Sequence, residues 1–355
     1  MEKALSWESA ITEIVAEPGI TLIIGGVDVG KTYFARMLVN AGVEAGVPTA
    51  VVDADVGQSE IGPPTVISMA LVENRVESLR ELKPRRMYFV GSTSPVGRLL
   101  PVVVGTKRMV DEAVMRGAKL VVVDTSGLVS GAIGRRLKMY KTDILRPRHI
   151  AAISRKHEID TIISFLAKQE NHQLYKLSAP DEVRSKPVEL RIARRRLQFY
   201  EYFKNADSHK IRMDDVGFRG TLFGTGLRIS WRNFRTIERV IRARVLHAEV
   251  ASGAAYVVVE CKPEGLDIKA LAERYGAREY YVVCGKDFVN VLVALCDADG
   301  EVIDLGLIEE MDFEQRHMHV ITPAMTVSPV RLVEFGAMRI LRDGTELGHI
   351  RFGEI

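Results

Sequence analysis

The sequence predicts an α/β domain with a mostly parallel sheet, followed by a smaller, β-rich C-terminal domain. The first observation behind this prediction is a β-α-β pattern near the N-terminus. An apolar run at 21–25 ends in glycine, a helical pattern follows over 32–45, and a second β-branched run occupies 49–53. Because a helical segment joins the two runs, we expect the strands that they predict to be parallel.

The second observation is that further strand-like runs alternate with amphipathic segments along the first part of the chain. Strands that alternate with helices indicate a parallel sheet with helices on both faces. The runs lie at 87–90, 120–124 and 150–153, and the amphipathic segments include 107–116 and 157–167.

The third observation is a change of pattern after about residue 204. Short strand-like runs lie at 256–260, 280–284 and 289–296, and the segment 217–226 contains four glycines. We therefore expect a first domain over residues 1–207, ending in a basic helix over about 184–204, and a second domain over 208–355.

The composition is that of an ordinary globular protein. The chain has 355 residues, of which 47% are hydrophobic, and 49 basic against 46 acidic side chains give a net charge of +3, so any basic surface must be local. Cys261, Cys284 and Cys296 lie in apolar runs without metal-ligand spacing, which predicts buried thiols in a reducing cytoplasm. Neither a membrane-spanning stretch nor a secretory signal is expected.

The strongest motif follows the first predicted strand. Gly25-Gly26-Val27-Asp28-Val29-Gly30-Lys31-Thr32 matches GxxxxGK[ST] and opens the first predicted helix, which is the context that this motif requires. Backbone N–H groups of such a loop surround phosphates, the lysine reaches the β and γ phosphates, and the threonine binds Mg²⁺. We expect this P-loop and Tyr33 to bind ATP with Mg²⁺.

Two further segments with carboxylates follow predicted strands. Asp53-Ala54-Asp55-Val56-Gly57-Gln58 comes directly after the second strand, at the sheet edge where ligands of open α/β folds bind. One carboxylate can accept the proton of an attacking hydroxyl while Gln58 holds a water or the γ phosphate. Asp124 ends four apolar residues in the Walker B pattern of Mg²⁺ binding. For each aspartate, capping of the following turn is the structural alternative.

Hydroxyl and basic side chains complete the candidate site. Thr93 and Ser94 follow another strand and can contact a phosphate or a sugar, although a simple turn before Pro95 explains them equally well. In the basic helix, Arg191, Arg194 and Arg195 are neighbours at i, i+3 and i+4, and their repulsion favours an anion beside them over a solvated helix face. A second cluster, suited to a groove for a polyanion, contains Arg135, Arg136, Lys138 and Lys141.

Together, the DVGK of the P-loop, the DADVGQ segment, the Thr93-Ser94-Pro95 segment and the arginine-rich helix resemble the Clp1/Grc3 family of polynucleotide 5′-hydroxyl kinases. The likeness covers roughly residues 19–204 and is greatest to the short prokaryotic members of the family. It implies ATP-dependent phosphorylation of the 5′-hydroxyl end of RNA, and of DNA as a further substrate. No membrane and no obligate protein partner are expected.

The resemblance also implies a role for individual residues. Lys31 and Thr32 would hold the triphosphate and Mg²⁺, and Asp55 would orient or deprotonate the 5′-hydroxyl. Arg191 and Arg195 match the RxxxR lid of the family, and Thr125, Ser126 and Gly127 match the TxG clasp that holds the end of the substrate. The expected metal ligands are Thr32, Asp53, Asp55 and Asp124, and the expected substrate contacts are Thr93, Ser94, Thr125, Ser126, Gly127, Arg135 and Lys138.

The sequence departs from the family pattern at two places. In the eukaryotic members a tryptophan that stacks on a base follows the clasp, whereas Leu128 stands here. The P-loop strand also begins near residue 20, without the separate N-terminal domain of those members, which favours a free-standing kinase.

The alternative to a nucleic-acid kinase is a P-loop switch that hydrolyses ATP or GTP. A regulatory GTPase needs NKxD after a late strand, and the segment 150–157 lacks it. A MinD-type switch has an additional lysine early in its P-loop, which is absent between Gly26 and Val29. A small-molecule kinase would differ in the salt dependence of substrate binding, because only a polyanion displaces many counterions.

Overall fold

The structure is a computed structural model that describes residues 6–181, 183–184, 186–251, 253–263, 278–351 and 353–355. The chain forms two compact units, Met1–Gln198 and Phe199–Ile355.

The first unit is built on a seven-stranded sheet. Its strands are β1 (Ile20–Gly25), β2 (Thr49–Ala54), β3 (Val66–Val72), β4 (Arg86–Phe89), β5 (Leu120–Thr125), β6 (His149–Ser154) and β7 (Gln173–Ser178). They lie side by side in the order β4-β3-β2-β5-β1-β6-β7. The pairs β2–β5, β5–β1, β1–β6 and β6–β7 are parallel, which confirms the predicted mostly parallel sheet.

Helices cover both faces of this sheet. They are α1 (Trp7–Ala16), α2 (Lys31–Glu44), α3 (Leu99–Met115), α4 (Gly131–Leu145) and α5 (Asp160–Leu166), and a further helix, α6 (Val188–Phe203), follows β7 in the chain. Buried residues of α1 and α2 share one apolar cluster with the sheet, and those of α3, α4 and α5 share another, so the sheet has helices on both faces. Strand β5 is buried along its whole length, as expected for a central strand.

Three elements of this unit extend the sequence prediction. Helix α1 and strands β3 and β7 were not expected, and β3 pairs antiparallel with both β2 and β4. Because an antiparallel edge needs no crossover helix, the β-α-β alternation of the sequence could not reveal it.

The second unit is β-rich. Within the described residues its strands are β8 (Asp207–Arg212), β9 (Gly217–Arg219), β10 (Leu227–Arg228), β11 (Val245–Ala251), β12 (Ala254–Val259), β13 (Glu279–Cys284), β14 (Val291–Cys296), β15 (Val302–Asp312), β16 (His317–Thr322), β17 (Leu332–Ile340) and β18 (Glu346–His349), and helix α7 (Phe234–Ile241) also belongs to this unit. One sheet has the order β10-β11-β12-β13, and the other has the order β18-β17-β14-β15-β16-β8 with β9 beside β17.

The division of the chain falls before the predicted boundary at 207/208. The last turn of α6 belongs to the second unit, where the Tyr202 hydroxyl donates a hydrogen bond to Asp304 and Arg342 donates to the carbonyl of Phe203. Helical periodicity continues through this point, so the sequence pattern placed the boundary at the end of the helix.

Two further observations concern the whole chain. Cys284 and Cys296 are buried as expected, whereas Cys261 is exposed, so the prediction of a buried thiol was wrong there. Among the described residues, no helix combines the length and apolar character that crossing a bilayer requires.

Candidate active site

The P-loop has the backbone conformation that its glycines predict. It connects β1 to α2, and Asp28 and Gly30 have φ values of 54° and 93°, in the left-handed region. A side chain at Gly25 would place its Cβ 2.5 Å from the carbonyl oxygen of Ile153, so this glycine permits close packing of β1 on β6. The loop therefore opens at the C-terminal edge of the sheet, where α2 begins.

The P-loop lysine and threonine have different partners. Lys31 is 7% exposed, and its ammonium donates a hydrogen bond to the carbonyl of Gly26, at 2.5 Å. The Thr32 hydroxyl donates to Asp124 Oδ2 at 2.6 Å, which brings the end of β5 against the start of α2. Two of the residues predicted to bind Mg²⁺, Thr32 and Asp124, therefore lie in contact.

The surroundings of Asp124 fit a divalent cation. Burial raises the pKa of Asp124 to about 6, although Lys31 and the hydrogen bond from Thr32 act in the opposite direction. Its Oδ1 is buried and has no hydrogen-bond partner among the described residues. An orphaned carboxylate oxygen beside a threonine hydroxyl is a suitable half-site for Mg²⁺.

Asp53 has a structural role that the sequence did not reveal. Its Oδ2 accepts hydrogen bonds from the Ser59 hydroxyl and from the backbone N–H groups of Glu60 and Ile61, at 3.0, 2.6 and 3.0 Å. Its Oδ1 accepts from the backbone N–H of Asp55 at 3.1 Å. Burial and the nearby Asp124 raise the pKa of Asp53 to about 7. Both oxygens of Asp53 therefore hold the loop after β2 in place, and metal binding by Asp53 stays a prediction.

Asp55 faces the cavity in front of the P-loop. Its Oδ1 accepts hydrogen bonds from the backbone N–H groups of Gly57 and Gln58, both at 3.1 Å. These two bonds fix the orientation of the carboxylate at the cavity wall. The Gln58 amide donates to the carbonyls of Gly57 and Arg191, at 2.7 and 3.4 Å. Gln58 therefore links the Asp55 loop to α6.

The segment predicted as a clasp divides into one residue that lies beneath the cavity and two that line it. The Thr125 hydroxyl donates to the carbonyl of Ile23 at 2.7 Å and accepts from Lys138 Nζ at 2.8 Å, so this threonine is fully buried and the prediction that it contacts substrate was wrong. Ser126 and Gly127 line the cavity. A Cβ at Gly127 would lie 2.8 Å from the backbone nitrogen of Val27, so only glycine permits this approach to the P-loop.

The predicted basic groove is not continuous. Lys138 and Lys141 are 0% exposed, because both lie on the face of α4 that packs on the sheet, and this corrects the prediction of a substrate contact at Lys138. Lys138 Nζ donates to the Ser126 carbonyl at 2.6 Å, so it supports the clasp loop from beneath. Arg135 and Arg136 are exposed, and Arg135 lines a separate cavity of about 570 Å³.

Burial lowers the pKa of both lysines. The pKa of Lys138 falls well below its usual value, through burial and through the positive charges of Lys141 and Lys31. Burial lowers the pKa of Lys141 to about 8, although the carboxylates of Asp55, Asp124 and Asp53 act against it. The ammonium of Lys141 has no hydrogen-bond partner among the described residues.

Helix α6 contacts the P-loop and the Asp55 loop through its arginines. Arg191 Nη2 donates to Asp28 Oδ2 at 2.9 Å, and Arg194 forms an ion pair with Glu60. The Gln198 amide donates to the carbonyl of Ser59 at 2.7 Å. Few acidic residues within α6 itself could pair with these arginines. Their carboxylate partners are Asp28 in the P-loop and Glu60 in the loop after β2.

These elements enclose one cavity of about 630 Å³. Its lining includes residues of the P-loop, the acidic loop, the hydroxyl segment, the clasp and the lid. The residues predicted from sequence that line it are Val27, Asp28, Gly30, Lys31, Thr32, Tyr33, Asp55, Gln58, Thr93, Ser94, Ser126, Gly127, Arg191 and Arg195. Of the other predicted residues, Gly25, Gly26, Val29, Asp53, Asp124, Thr125, Arg135 and Lys138 do not line it.

The lining also contains residues that the sequence did not single out as site residues. Glu60 and Lys186 are the clearest, since Glu60 pairs with Arg194 and with Arg80, and the Lys186 backbone N–H donates to Asp28 at 2.8 Å. Lys186 lies in the basic segment, which was the available signal. Glu60 had no sequence signal, because its partners are distant in the chain.

Comparison with known families and proteins agrees with this geometry. The family model described as "mRNA cleavage and polyadenylation factor CLP1 P-loop" matches residues 25–205. A polyribonucleotide 5′-hydroxyl-kinase of Methanocaldococcus jannaschii is 32% identical over 329 residues, which cover 92% of this chain and 88% of the relative. One from Pyrococcus furiosus is 32% identical over 331 residues, covering 93% and 90%.

A solved structure shows the same fold. The chain is similar to the structure of a wild-type Clp1p–Pcf11p complex with a TM-score of 0.58 and 12% identity, over 93% of this chain and 77% of the other. The aligned part of the chain therefore includes residues of both units.

Proposed function

Because this chain belongs to the CLP1 P-loop family, we propose that it transfers the γ phosphate of ATP to the 5′-hydroxyl end of RNA. The curated archaeal relatives that match it along nearly the whole chain are named polyribonucleotide 5′-hydroxyl-kinases. The single observation that supports the proposal most strongly is the position of Asp55. Its oriented carboxylate shares one cavity with Lys31, Thr32 and the lid arginines, so an acceptor hydroxyl can be activated beside the phosphates.

On the donor side, the P-loop binds the triphosphate. The N-terminus of α2 and the backbone N–H groups of the loop supply partial positive charge. Lys31 has to exchange its hydrogen bond with the Gly26 carbonyl for the β and γ phosphates, and its side chain is already within the loop. Binding of nucleotide therefore requires a local rearrangement of one side chain.

Thr32 and Asp124 would hold a Mg²⁺ ion. The threonine hydroxyl provides one oxygen, and the Asp124 carboxylate acts directly or through a water. Among the described residues, no group of three or more His, Cys, Asp or Glu side chains could hold a metal. The remaining ligands would therefore be phosphate oxygens and water. The ion would neutralise charge on the transferred phosphoryl group.

On the acceptor side, Asp55 orients the 5′-hydroxyl and takes its proton. The two backbone N–H groups that bind Oδ1 hold the carboxylate in place, and Oδ2 would accept the proton of the hydroxyl. A positioned base of this kind accelerates transfer by roughly 10²–10⁴-fold. Gln58 would fix a water or the γ phosphate beside it.

The clasp and lid hold the two substrates together. Ser126 and Gly127 stand opposite the P-loop and would contact the terminal nucleotide, while Thr93 and Ser94 offer hydroxyl groups to its phosphate or sugar. Leu128 also lines the cavity and supplies an apolar contact where the eukaryotic pattern has a stacking tryptophan. Arg191 and Arg195 would neutralise charge that develops on the transferred group.

The test is transfer of label from γ-labelled ATP to oligonucleotides that differ only at the 5′ end. We expect label on 5′-hydroxyl RNA with Mg²⁺ and no label on the same RNA with a 5′ phosphate. Lys31→Ala should abolish transfer because it removes the phosphate-binding ammonium. Hydrolysis of ATP at an unchanged rate with or without 5′-hydroxyl RNA, and without transfer, would refute the kinase and favour an ATPase switch.

A further inference from the structure

We propose that a second cavity beside the P-loop, lined by Trp7, Tyr33 and the 178–181 loop, binds the base and ribose of the nucleotide. This inference rests on the proposed function only in assuming a nucleoside triphosphate in the P-loop. The cavity has a volume of about 450 Å³ and also includes Glu8 and Met37. Neither α1 nor the 178–181 loop belongs to any sequence motif considered above.

The position of Tyr33 connects this cavity to the phosphate site. Tyr33 directly follows Thr32 in the first turn of α2, and it lines both cavities. A nucleotide whose β and γ phosphates lie at Lys31 has its α phosphate near the start of this helix. The base and ribose then have to leave the P-loop past Tyr33, and this cavity begins there.

The position of Trp7 is fixed by contacts with the P-loop and with the loop after β7. Its indole N–H donates to the carbonyl of Ser178 at 2.9 Å, and its ring packs edge-on against Phe34, with centroids 5.2 Å apart. A Cβ at Gly30 would lie 3.0 Å from the indole ring. Helix α1 therefore holds an aromatic ring directly against the P-loop.

The two rings form a corner suited to a flat, apolar ligand. The Trp7 and Tyr33 centroids are 6.0 Å apart with planes tilted by 43°, and Tyr33 remains 49% exposed. The Arg36 guanidinium lies over the tyrosine ring, 4.9 Å from its centroid, which fixes the ring. An aromatic surface that is rigid and half exposed stabilises a stacked base at little entropic cost.

The polar groups of the cavity suit the amino group of a base. Glu8 and Asp181 contribute carboxylates to the lining, and carboxylates accept hydrogen bonds from exocyclic amino groups. Phosphates would be repelled by the same carboxylates, because the charges have the same sign. The charge distribution thus separates a phosphate cavity with basic residues from a base cavity with acidic ones.

The experiment uses the fluorescence of Trp7 in the full chain. The sequence has two tryptophans, so the Trp231→Phe variant leaves Trp7 as the sole indole. We expect ATP to change the emission of this variant and inorganic tripolyphosphate, which lacks a base, to bind without that change. Equal changes with both ligands, or no change when ATP is bound, would overturn the proposal.

A matched pair of variants tests the same point by affinity. Tyr33→Ala should weaken ATP binding by about tenfold and leave tripolyphosphate binding unaltered, since base–aromatic stacking is lost and phosphate contacts remain. Tyr140→Ala is the control, because Tyr140 is 50% exposed, like Tyr33, and lies on α4 outside this cavity. Equal weakening of both ligands by Tyr33→Ala would contradict the assignment. Neither measurement requires RNA, so failure of the transfer reaction leaves this test intact.

Discussion

Asp53 and Asp55 are two residues apart in the chain, and their surroundings give them different chemistry. Asp53 ends a buried strand and accepts four hydrogen bonds from its own loop, whereas Asp55 lies just beyond the strand and lines the cavity. At the residue scale, the sequence could establish that a carboxylate follows β2. It could not establish which one faces the substrate, because that depends on how the loop closes.

The Asp53→Asn variant tests this distinction. An asparagine amide presents N–H groups where Asp53 Oδ1 or Oδ2 accepts hydrogen bonds, so a buried donor is left facing another donor. We expect the free energy of unfolding to fall by about 1–3 kcal/mol, measured by denaturant titration. Transfer activity per folded molecule should change less than in Asp55→Asn. A stable Asp53→Asn protein without transfer activity, together with an active Asp55→Asn protein, would identify Asp53 as the base.

At the scale of elements, α6 joins the lid function to the P-loop. Arg191 is paired with Asp28 and Arg195 lines the same cavity, one turn further along the helix. The helical spacing was readable from the sequence, because residues at i and i+4 are neighbours. The carboxylates that bind the arginines, Asp28 and Glu60, could not be predicted from the sequence, because they lie in loops distant in the chain.

Arg195→Ala separates a transition-state role from general attraction of RNA. If its charge acts on the phosphoryl group in transfer, kcat should fall strongly, by about 10³-fold, with little change in the salt dependence of RNA binding. Arg196→Ala is the control, because Arg196 is exposed on the same helix and does not line the cavity. A normal kcat with weaker and less salt-dependent RNA binding would show that Arg195 belongs to an electrostatic surface only.

Helix α4 supports the clasp through a buried lysine. Lys138 lies among basic residues in the sequence, which predicted an exposed cluster. The structure instead buries Lys138 on the face of α4 that packs on the sheet, where it binds Thr125 and Ser126. We expect Lys138→Met to raise KM for RNA about tenfold while leaving ATP affinity unaltered, because the Ser126 carbonyl loses the hydrogen bond that positions the clasp. Steady-state kinetics with each substrate varied in turn measures this difference.

Lys141→Met is the control for that variant. Lys141 is equally buried, but its ammonium has no hydrogen-bond partner among the described residues, so KM for RNA should not change. Its pKa is about 8 in the fold and higher in the unfolded chain, so the unfolded chain binds more protons between these values and stability rises with pH there. The variant should lack this rise above about pH 8. An equal increase in KM in both lysine variants would contradict a specific role for Lys138.

At the scale of the whole molecule, the sequence predicted the order of the two parts and the type of each. The P-loop, the parallel strands and the β-rich second part all had local signals, because period and glycine spacing are properties of short segments. Helix α1 and strands β3 and β7 were missed. Strand β3 forms an antiparallel edge with its neighbours β2 and β4, which a β-α-β alternation does not reveal, and Trp7 of α1 contacts Ser178, which is distant in the chain. The site followed the same rule: motif residues were found, and residues held by distant partners were missed.

The central claim is that one cavity unites phosphate binding with a base for a 5′-hydroxyl. The most direct measurement is single-turnover transfer from saturating γ-labelled ATP to saturating 5′-hydroxyl RNA by the unaltered protein and by Asp55→Asn. Loss of the proton acceptor should lower the rate by roughly 10²–10⁴-fold while ATP and RNA still bind with unaltered affinity. Transfer at the same rate in both proteins would contradict the claim.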